Sequence, residues 1–224
     1  MKIVICNSKK WFQLSNENSL NHRILNIQQK DDLSLDKLEG FQPDLVFFPH
    51  WSWIVGSEIY KKYKCIVFHT SPLPFGRGGS PIQNLIKRGY SKSPVSALAM
   101  SGGIDDGAIY DQEDISLEGS LSEILKKLNN AVNVIMGRLI EHLPEPIDQN
   151  GEVKTFKRLG FKDNEISYEA NIEEFYNSIR MLDDPSYPSA YLSLKNVNIE
   201  FSKINKESKE LFCQVRITPK GLYE

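Results

Sequence analysis

Three short apolar runs separated by polar stretches constrain the fold of this chain more than any other feature. The runs are KIVIC at 2–6, LVFFPHW at 45–51 and KCIVF at 64–68. Runs of this length, rich in β-branched and aromatic residues, are typical of strands buried in a sheet. Helix-like stretches at 33–41 and 53–63 lie between them. Strands that alternate with helices predict an α/β fold, with a mostly parallel sheet flanked by helices.

The rest of the chain continues this pattern and then changes near residue 150. Apolar residues recur at helical spacing over 120–143, where Ser120 and Glu123 match a capping box. Beyond that point, short helical and alternating segments predict a small C-terminal α+β extension over 151–224. The further predicted elements are a weak helix at 17–26, helices at 81–88 and 172–182, strands at 94–100, 196–203 and 211–217, and loops at 69–81, 101–115 and 185–192.

Charge and composition exclude several functional classes. Lys and Arg number 27 against 29 Asp and Glu, so the chain lacks the basic excess that contact with nucleic-acid phosphates requires. No apolar run reaches the length of a membrane span, and the strand-like N-terminus does not resemble a signal peptide. Three separated cysteines and four histidines without ligand spacing predict no disulfide and no metal site. We therefore expect a cytoplasmic protein with no membrane and no nucleic-acid partner.

Polar residues follow two of the predicted strands, where open α/β sheets place their functional sites. His69 follows the strand at 64–68 and acts either as an acid–base group or as a satisfied histidine that caps the strand. Asp105, in the second glycine-rich loop, would approach the same sheet edge and orient an imidazole, or it simply forms a turn. Arg77 would bind an anion or hold its loop to a buried carboxylate.

The loop after LVFFPH offers aromatic side chains to a ligand. Trp51 and Trp53 either wall a planar ligand or belong to the core, and His50 has the same two interpretations. The sequence contains neither a P-loop nor a GxGxxG fingerprint, so nothing after the first strand is predicted to cradle a pyrophosphate.

Two spaced motifs resemble the folate-dependent formyltransferases of the methionyl-tRNA formyltransferase-like family. Residues 65–83 resemble its N-x-H-x-S-L-L-P-x-x-R-G-x-x-P segment, and residues 94–110 its G-V-T-x-x-x-M-x-x-x-x-D-x-G-x-I segment. The segments PDLVFFPHWSWIV and FKRLGFKDNEI extend the resemblance over roughly 40–190. The matching positions are His69, Ser71, Leu73, Pro74, Arg77, Gly78 and Pro81 in the first motif, and Val95, Ser96 (in place of Thr), Met100, Asp105, Gly107 and Ile109 in the second.

The resemblance implies a Rossmann-like catalytic domain over 1–150 that transfers a formyl group from 10-formyltetrahydrofolate to an amine. It implies catalytic roles for His69, which in its protonated form faces the developing oxyanion, and for Asp105, which orients His69. The implied folate-binding residues are Pro49, His50, Trp51, Gly103 and Asp105. The implied substrate-binding residues are Ser71, Pro74, Arg77 and Gly78.

One position departs from the family pattern. The family's asparagine, two residues before the histidine, falls at Val67. Loss of an oxyanion donor typically raises the barrier by about 2.7–4 kcal/mol. Either another group supplies the donor, or activity is low, or the chain is a non-catalytic folate- or sugar-binding protein with this fold. The candidate substitutes are His50, Ser71, Asn84 and a backbone N–H in the turn at 102–107.

The resemblance and the exclusions together favour a small amine as the acceptor. The short C-terminal tail and the slight negative charge disfavour tRNA, and the absence of a glycine-rich loop at 6–12 disfavours the purine-pathway reaction. Short relatives in this family formylate amino sugars, commonly nucleotide-linked, for bacterial surface glycans or nonulosonic acids, and they often dimerise. We therefore expect an amino-sugar substrate, with another small amine or hydrolysis of formyltetrahydrofolate as alternatives. The C-terminal strands form either a homodimer contact or a hairpin within the chain.

Overall fold

The computed structural model describes residues 1–220, which form two compact units. The last four residues of the predicted 151–224 extension lie outside the described residues. The chain enters the second unit for the last time at Phe156, close to the predicted boundary. The first unit comprises Met1–Gly78, Ser93–Ile115 and Lys126–Thr155, and the second comprises Gly79–Lys92, Ser116–Leu125 and the described residues from Phe156 on.

Strands and helices alternate along the first part of the described chain, as the sequence predicts. The strands are β1 (Lys2–Asn7), β2 (Arg23–Ile27), β3 (Leu45–His50), β4 (Cys65–Thr70), β5 (Phe75–Gly78), β6 (Lys92–Ala99), β7 (Ile109–Ser116), β8 (Lys154–Phe156), β9 (Ala190–Ser193), β10 (Val197–Glu207) and β11 (Glu210–Pro219). The α-helices are α1 (Asn16–Ser19), α2 (Leu35–Phe41), α3 (Ser57–Tyr60), α4 (Pro81–Lys87), α5 (Leu121–Glu141) and α6 (Ile172–Arg180).

The central sheet of the first unit contains six strands in the order β2-β1-β3-β4-β6-β7. β1 pairs in parallel with β2 and β3, and β3 pairs in parallel with β4. β6 is antiparallel to β4, which adds a reversed strand to an otherwise parallel arrangement. The predicted mostly parallel sheet flanked by helices is therefore confirmed.

The apolar runs become the buried strands of this sheet because both of its faces are covered. Val4, Val46 and Cys65 occupy paired positions on β1, β3 and β4 and are at most 5% exposed. Leu38 of α2 and Ile59 of α3 pack against them. Burial raises the pKa of the Cys65 thiol to about 12, so this cysteine behaves as a small apolar side chain.

Three predicted segments are wrong in part. The helix predicted over 17–26 ends at Ser19, and residues 23–27 form β2 because they pair in register with β1. The loop predicted over 101–115 contains most of β7, a strand at the sheet edge whose polar residues hide its apolar alternation. Two of these residues, Asp111 and Glu113, form ion pairs with Arg138 of α5. The loop predicted over 185–192 ends in the short strand β9.

Two helix starts match the sequence closely. The Ser120 backbone N–H donates to Glu123 Oε2 over 2.8 Å, and the Glu123 N–H donates to Ser120 Oγ over 3.3 Å, which confirms the predicted capping box before α5. Asn171 and Glu174 form the same reciprocal pair at the start of α6. Within residues 1–220, no helix has both the length and the apolar character that a membrane crossing needs.

The second unit contains α6 and a three-stranded antiparallel sheet in the order β11-β10-β9. The strands predicted over 196–203 and 211–217 pair with each other as β10 and β11. Phe201 of β10, which is 8% exposed, packs edge-on against Phe175 of α6 with ring centroids 5.3 Å apart. Of the two alternatives for these strands, the chain forms the hairpin within itself, and the homodimer stays a prediction.

Candidate active site

His69 lies near the end of β4 with both ring nitrogens close to acceptor oxygens. Its Nε2 is 2.8 Å from the carbonyl oxygen of Gly76, and its Nδ1 is 3.2 Å from Asp105 Oδ2. The side chain is only 6% exposed. Because a carbonyl only accepts hydrogen bonds, Nε2 carries a proton, and a ring protonated on both nitrogens satisfies both contacts. The structure thus brings together the two residues that the sequence singles out as catalytic.

Asp105 has an uncommon backbone conformation that aims its carboxylate at this histidine. Its φ of +50° lies in the left-handed region, where aspartate is among the few non-glycine residues that occur with any frequency. The same Oδ2 that faces His69 accepts the backbone N–H of Gly78 over 2.9 Å. One carboxylate oxygen therefore links the second glycine-rich loop to the first.

Gln149, which the sequence analysis does not identify, fastens the two loops together. Its Nε2 donates to the carbonyl oxygens of Asp105 and Gly107, both over 2.8 Å. Its Oε1 accepts from Arg77 Nε over 3.0 Å and from Arg77 Nη2 over 2.8 Å. Arg77 thus holds its loop through an amide rather than through the buried carboxylate that the sequence analysis considers. No local pattern marks this glutamine, which follows the end of α5 in an irregular segment.

Of the two glycines on either side of Asp105, Gly107 cannot accept a side chain, whereas Gly103 can. A Cβ at Gly107 would come within 1.8 Å of the backbone carbonyl oxygen of Ala99, which cannot move without disturbing β6. A Cβ at Gly103 would meet only the side chain of Asp106, which can rotate away. The exposed Gly103 is predicted to bind folate, and that role stays a prediction.

The predicted folate-binding residues of β3 and its following loop form an aromatic cluster. Pro49 is buried within β3, and His50 Nδ1 lies 3.4 Å from Ser8 Oγ. Trp51 packs edge-on against Trp53 with centroids 4.9 Å apart, and it also packs against the apolar core. The buried Trp51 Nε1 has no hydrogen-bond partner among the described residues, so a donor is available beside this edge of the sheet.

Two isoleucines in these loops are exposed to an unusual degree. Ile54 is 96% exposed and Ile104 is 74% exposed. The loop that carries Ile104 lies near α3, because a Cβ at Gly102 would come within 3.5 Å of the Tyr60 hydroxyl. Exposed apolar side chains of this size favour contact with a partly apolar ligand. Neither isoleucine belongs to a motif that marks it in the sequence.

The structure narrows the candidates for the donor that is missing at Val67. Val67 packs against the apolar core of the first unit. Asn84 Nδ2 lies 3.1 Å from each of three backbone carbonyls in the second unit, so its amide is already used there. Ser71 is fully buried, and its Oγ has no partner among the described residues. Pro74, predicted to bind substrate, is buried, and its carbonyl accepts the N–H of Lys154 over 3.3 Å.

Two protein families match the chain. Residues 2–137 match the family described as "Formyl transferase", which is more than half of the chain. Residues 161–218 match the family described as "Methionyl-tRNA formyltransferase, C-terminal domain". The second match corrects the expectation that the tail is too short to correspond to the extra domain of the tRNA enzymes.

Individual relatives agree with these matches. The methionyl-tRNA formyltransferase of Bacillus thuringiensis (strain Al Hakam) is 33% identical over 179 residues, 76% of this chain and 56% of that protein, so the chain spans about half the length of the curated relatives it matches. The structure is similar to methionyl-tRNA formyltransferase from Clostridium thermocellum, with a TM-score of 0.93 and 36% identity over 98% of this chain and 99% of that chain. An N-formyltransferase from Helicobacter canadensis shares the fold, with a TM-score of 0.63 and 19% identity over 97% and 98% of the two chains.

Proposed function

The chain belongs to the formyl transferase family, and from that premise we propose that it transfers a formyl group from 10-formyltetrahydrofolate to the primary amine of a nucleotide-linked amino sugar. The family uses 10-formyltetrahydrofolate as its co-substrate. The observation that carries the proposal is the buried contact between His69 and Asp105, which joins the two loops that carry the family motifs.

The arrangement suits attack of an amine on a formyl carbon. The neutral amine attacks, and negative charge develops on the formyl oxygen. In this mechanism the formyl oxygen replaces the Gly76 carbonyl at His69 Nε2, so that a protonated His69 faces the developing charge. Asp105, still beside Nδ1, orients the ring and accepts the amine proton directly or through water. That proton then passes to the departing folate nitrogen, which leaves as an amine. The buried hydroxyl of Ser71 is our candidate for the donor that the family places at position 67.

The folate is proposed to bind at the edge formed by the loops after β3 and β6. Trp51 offers an unpartnered indole N–H, and the exposed side chains of Ile54 and Ile104 offer apolar contact. A pterin ring system combines a planar face with hydrogen-bonding edges, and such ligands bind where apolar walls surround a few polar groups. These features fit the proposed co-substrate.

Two observations support an amino sugar as the acceptor. The Helicobacter canadensis N-formyltransferase was solved in complex with folinic acid and dTDP-3-aminofucose, and the two chains correspond over almost their whole lengths. The net charge of −2 provides little attraction for a polyanion. We place the reaction in the cytoplasm, in the synthesis of bacterial surface glycans or nonulosonic acids.

Aminoacyl-tRNA is a second candidate acceptor, favoured by specific observations. Relatives with more than 30% identity include methionyl-tRNA formyltransferases, and residues 161–218 match the C-terminal domain of such enzymes. Both candidates share the same formyl donor and the same His69–Asp105 pair, so the acceptor alone distinguishes them.

A single assay tests the donor and both acceptors. The purified chain is mixed with 10-formyltetrahydrofolate and either a panel of amino sugars, free and linked to UDP, dTDP, GDP or CMP, or methionyl-tRNA, and the release of tetrahydrofolate is followed. We expect turnover with a nucleotide-linked amino sugar and none with methionyl-tRNA. Turnover with methionyl-tRNA alone would replace the first acceptor with the second. Absence of both turnover and folate binding would contradict the proposed function.

A further inference from the structure

The segment beside the candidate active site contains an asparagine–glycine pair that the proposed reaction does not use. Asn150 is followed by Gly151, and it is the only asparagine in the sequence that precedes a glycine. Both residues are exposed and lie in irregular backbone beyond α5. Asparagine is a thermally labile residue, because the backbone nitrogen of the next residue can attack its side-chain amide. Glycine has no side chain to hinder that attack.

The surrounding structure does not restrain either of the two groups that would react. Within residues 1–220, neither the Asn150 side chain nor the Gly151 backbone N–H forms a hydrogen bond. Gly151 has a φ of +127°, a backbone conformation that residues with a side chain rarely adopt. Glycine is therefore favoured at this position by the backbone itself, and the asparagine before it makes the pair reactive.

The residue on the other side of Asn150 is Gln149, whose amide fastens the two loops of the candidate site. This amide accepts two N–H groups of Arg77 and donates to the carbonyl oxygen of Asp105 over 2.8 Å. The backbone just before it is fixed, because Ile147 and Ile109 exchange two hydrogen bonds of 2.8 Å. A longer backbone directly after Gln149 would therefore change the path of the segment that holds this amide in place.

We propose that Asn150 is a site of spontaneous deamidation, and that the modification slows formyl transfer by loosening the contacts of Gln149. The Gly151 backbone nitrogen loses its proton and attacks Asn150 Cγ, and the side-chain nitrogen takes up a proton and leaves as ammonia. Water then opens the cyclic imide to aspartate or to isoaspartate, in which the backbone runs through the side-chain carbonyl carbon. Isoaspartate lengthens the backbone by one carbon atom. The modification does not depend on the proposed function, whereas its effect on the rate rests on it.

The modification is measured on the full chain without any folate. The purified chain is aged in mildly alkaline buffer, and peptide mass spectrometry follows the gain of about 1 Da that accompanies conversion of an amide to a carboxylic acid. Asn196 is the internal control, because it is also exposed and lies in a turn but is followed by valine. We expect modification of Asn150 to be at least about tenfold faster than that of Asn196. Equal rates, or no mass gain at Asn150, would overturn the proposal.

The structural consequence is read by hydrogen exchange. The backbone N–H of Gly78 donates to Asp105 Oδ2 over 2.9 Å, so its exchange reports whether the two loops stay together. Exchange at Gly78 should be faster in the aged parent than in the fresh parent. Asn150→Gln is the matched variant, because its extra methylene disfavours ring closure, and its exchange should not change on ageing. Isoaspartate formation at Asn150 with unchanged exchange at Gly78 would overturn the link to the site.

The effect on the rate is measured with whichever acceptor supports turnover. Complete conversion to isoaspartate should lower kcat roughly tenfold, because Asp105 is then less well positioned. Freshly prepared Asn150→Asp has the added charge but the normal backbone path, and it should keep more activity than the aged parent. Parental kcat in fully modified protein would contradict the effect on formyl transfer. Absence of turnover and of folate binding in the fresh parent would instead contradict the proposed function, while the mass and exchange measurements would still test the modification.

Discussion

The site around His69 and a cavity of the second unit, lined in part by Phe161, Asn198 and Glu200, differ in how their polar groups are satisfied. In the first unit, the imidazole, the Asp105 carboxylate, the Gln149 amide and the Arg77 guanidinium are bonded to one another or to backbone. In the cavity of the second unit, Asn198 Oδ1 is buried without a partner. The first arrangement is organised before any ligand binds, so a single substitution should disturb several of its contacts. The second leaves a buried acceptor unsatisfied, so it is less completely organised by the protein itself.

The largest effect is expected from replacing the histidine at the centre of the organised site. His69→Asn removes the group that faces the developing charge, and general acid–base groups contribute about 10²–10⁴-fold to rate. We expect the rate of tetrahydrofolate release to fall by about this factor, measured by the folate assay. The exposed histidine variant His142→Asn serves as the control and should keep parental activity. An equal loss of activity in both variants would show that the His69–Asp105 contact has no particular role in formyl transfer.

The next effect is expected at the carboxylate. Asp105→Asn keeps a side chain that tolerates the left-handed backbone but removes the negative charge beside His69. We expect kcat to fall about 10²-fold while the melting temperature changes little. Asp106→Asn is the matched control, because Asp106 is the exposed neighbour and does not contact His69. A comparable kcat for Asp105→Asn and Asp106→Asn would break the assignment of Asp105 as the orienting carboxylate.

A smaller effect is expected at the glutamine that ties the loops. Gln149→Leu leaves the carbonyls of Asp105 and Gly107 and the Arg77 guanidinium without this partner. We expect a loss of about 1 kcal/mol of stability for the half-buried amide, and roughly a tenfold lower kcat because Asp105 is less well positioned. KM should change less than kcat. The exposed variant Gln28→Leu is the control, and a parental kcat in Gln149→Leu would contradict the positioning role.

Much of the fold could be predicted from sequence because buried parallel strands have continuous apolar sequences. KIVIC, LVFFPH and KCIVF all became neighbouring strands of one sheet. β7 was missed because an edge strand carries polar residues, and β2 was missed because pairing with β1 outweighs its local helical spacing. In each case, the deciding factor is the strand's place in the sheet, which local sequence does not reveal.

The residues of the site also divide into those that the sequence predicts and those that it does not. His69 and Asp105 could be predicted because both belong to motifs with long, specific spacing, and the structure brings them within 3.2 Å. Gln149 could not, since its role depends on where a loop far along the chain folds back, and a lone glutamine carries no pattern. The second-unit cavity was missed for the same reason, because its lining residues are widely separated in sequence.

The smallest functional effect is expected from chemical modification of the cysteine thiols. Their reactivity should differ between the two units. Burial raises the pKa values of Cys6 and Cys65 in the core of the first unit, so the reactive thiolate is scarce at pH 8 and appears only at much higher pH. Cys213, in the second unit, is partly exposed. Iodoacetamide should modify Cys213 first, as read by peptide mass spectrometry, and leave activity unchanged. Faster labelling of Cys65 would indicate that the core of the first unit opens readily.

The central claim is that the His69–Asp105 pair transfers a formyl group. The most direct measurement is a single-turnover rapid-quench experiment with 10-formyltetrahydrofolate carrying a labelled formyl carbon, using whichever acceptor supports turnover, on the parent chain and on His69→Asn. We predict that the label moves to the acceptor amine in the parent and that its rate falls at least 10²-fold in the variant, while folate binding is retained. Transfer at the parental rate in His69→Asn would contradict the claim.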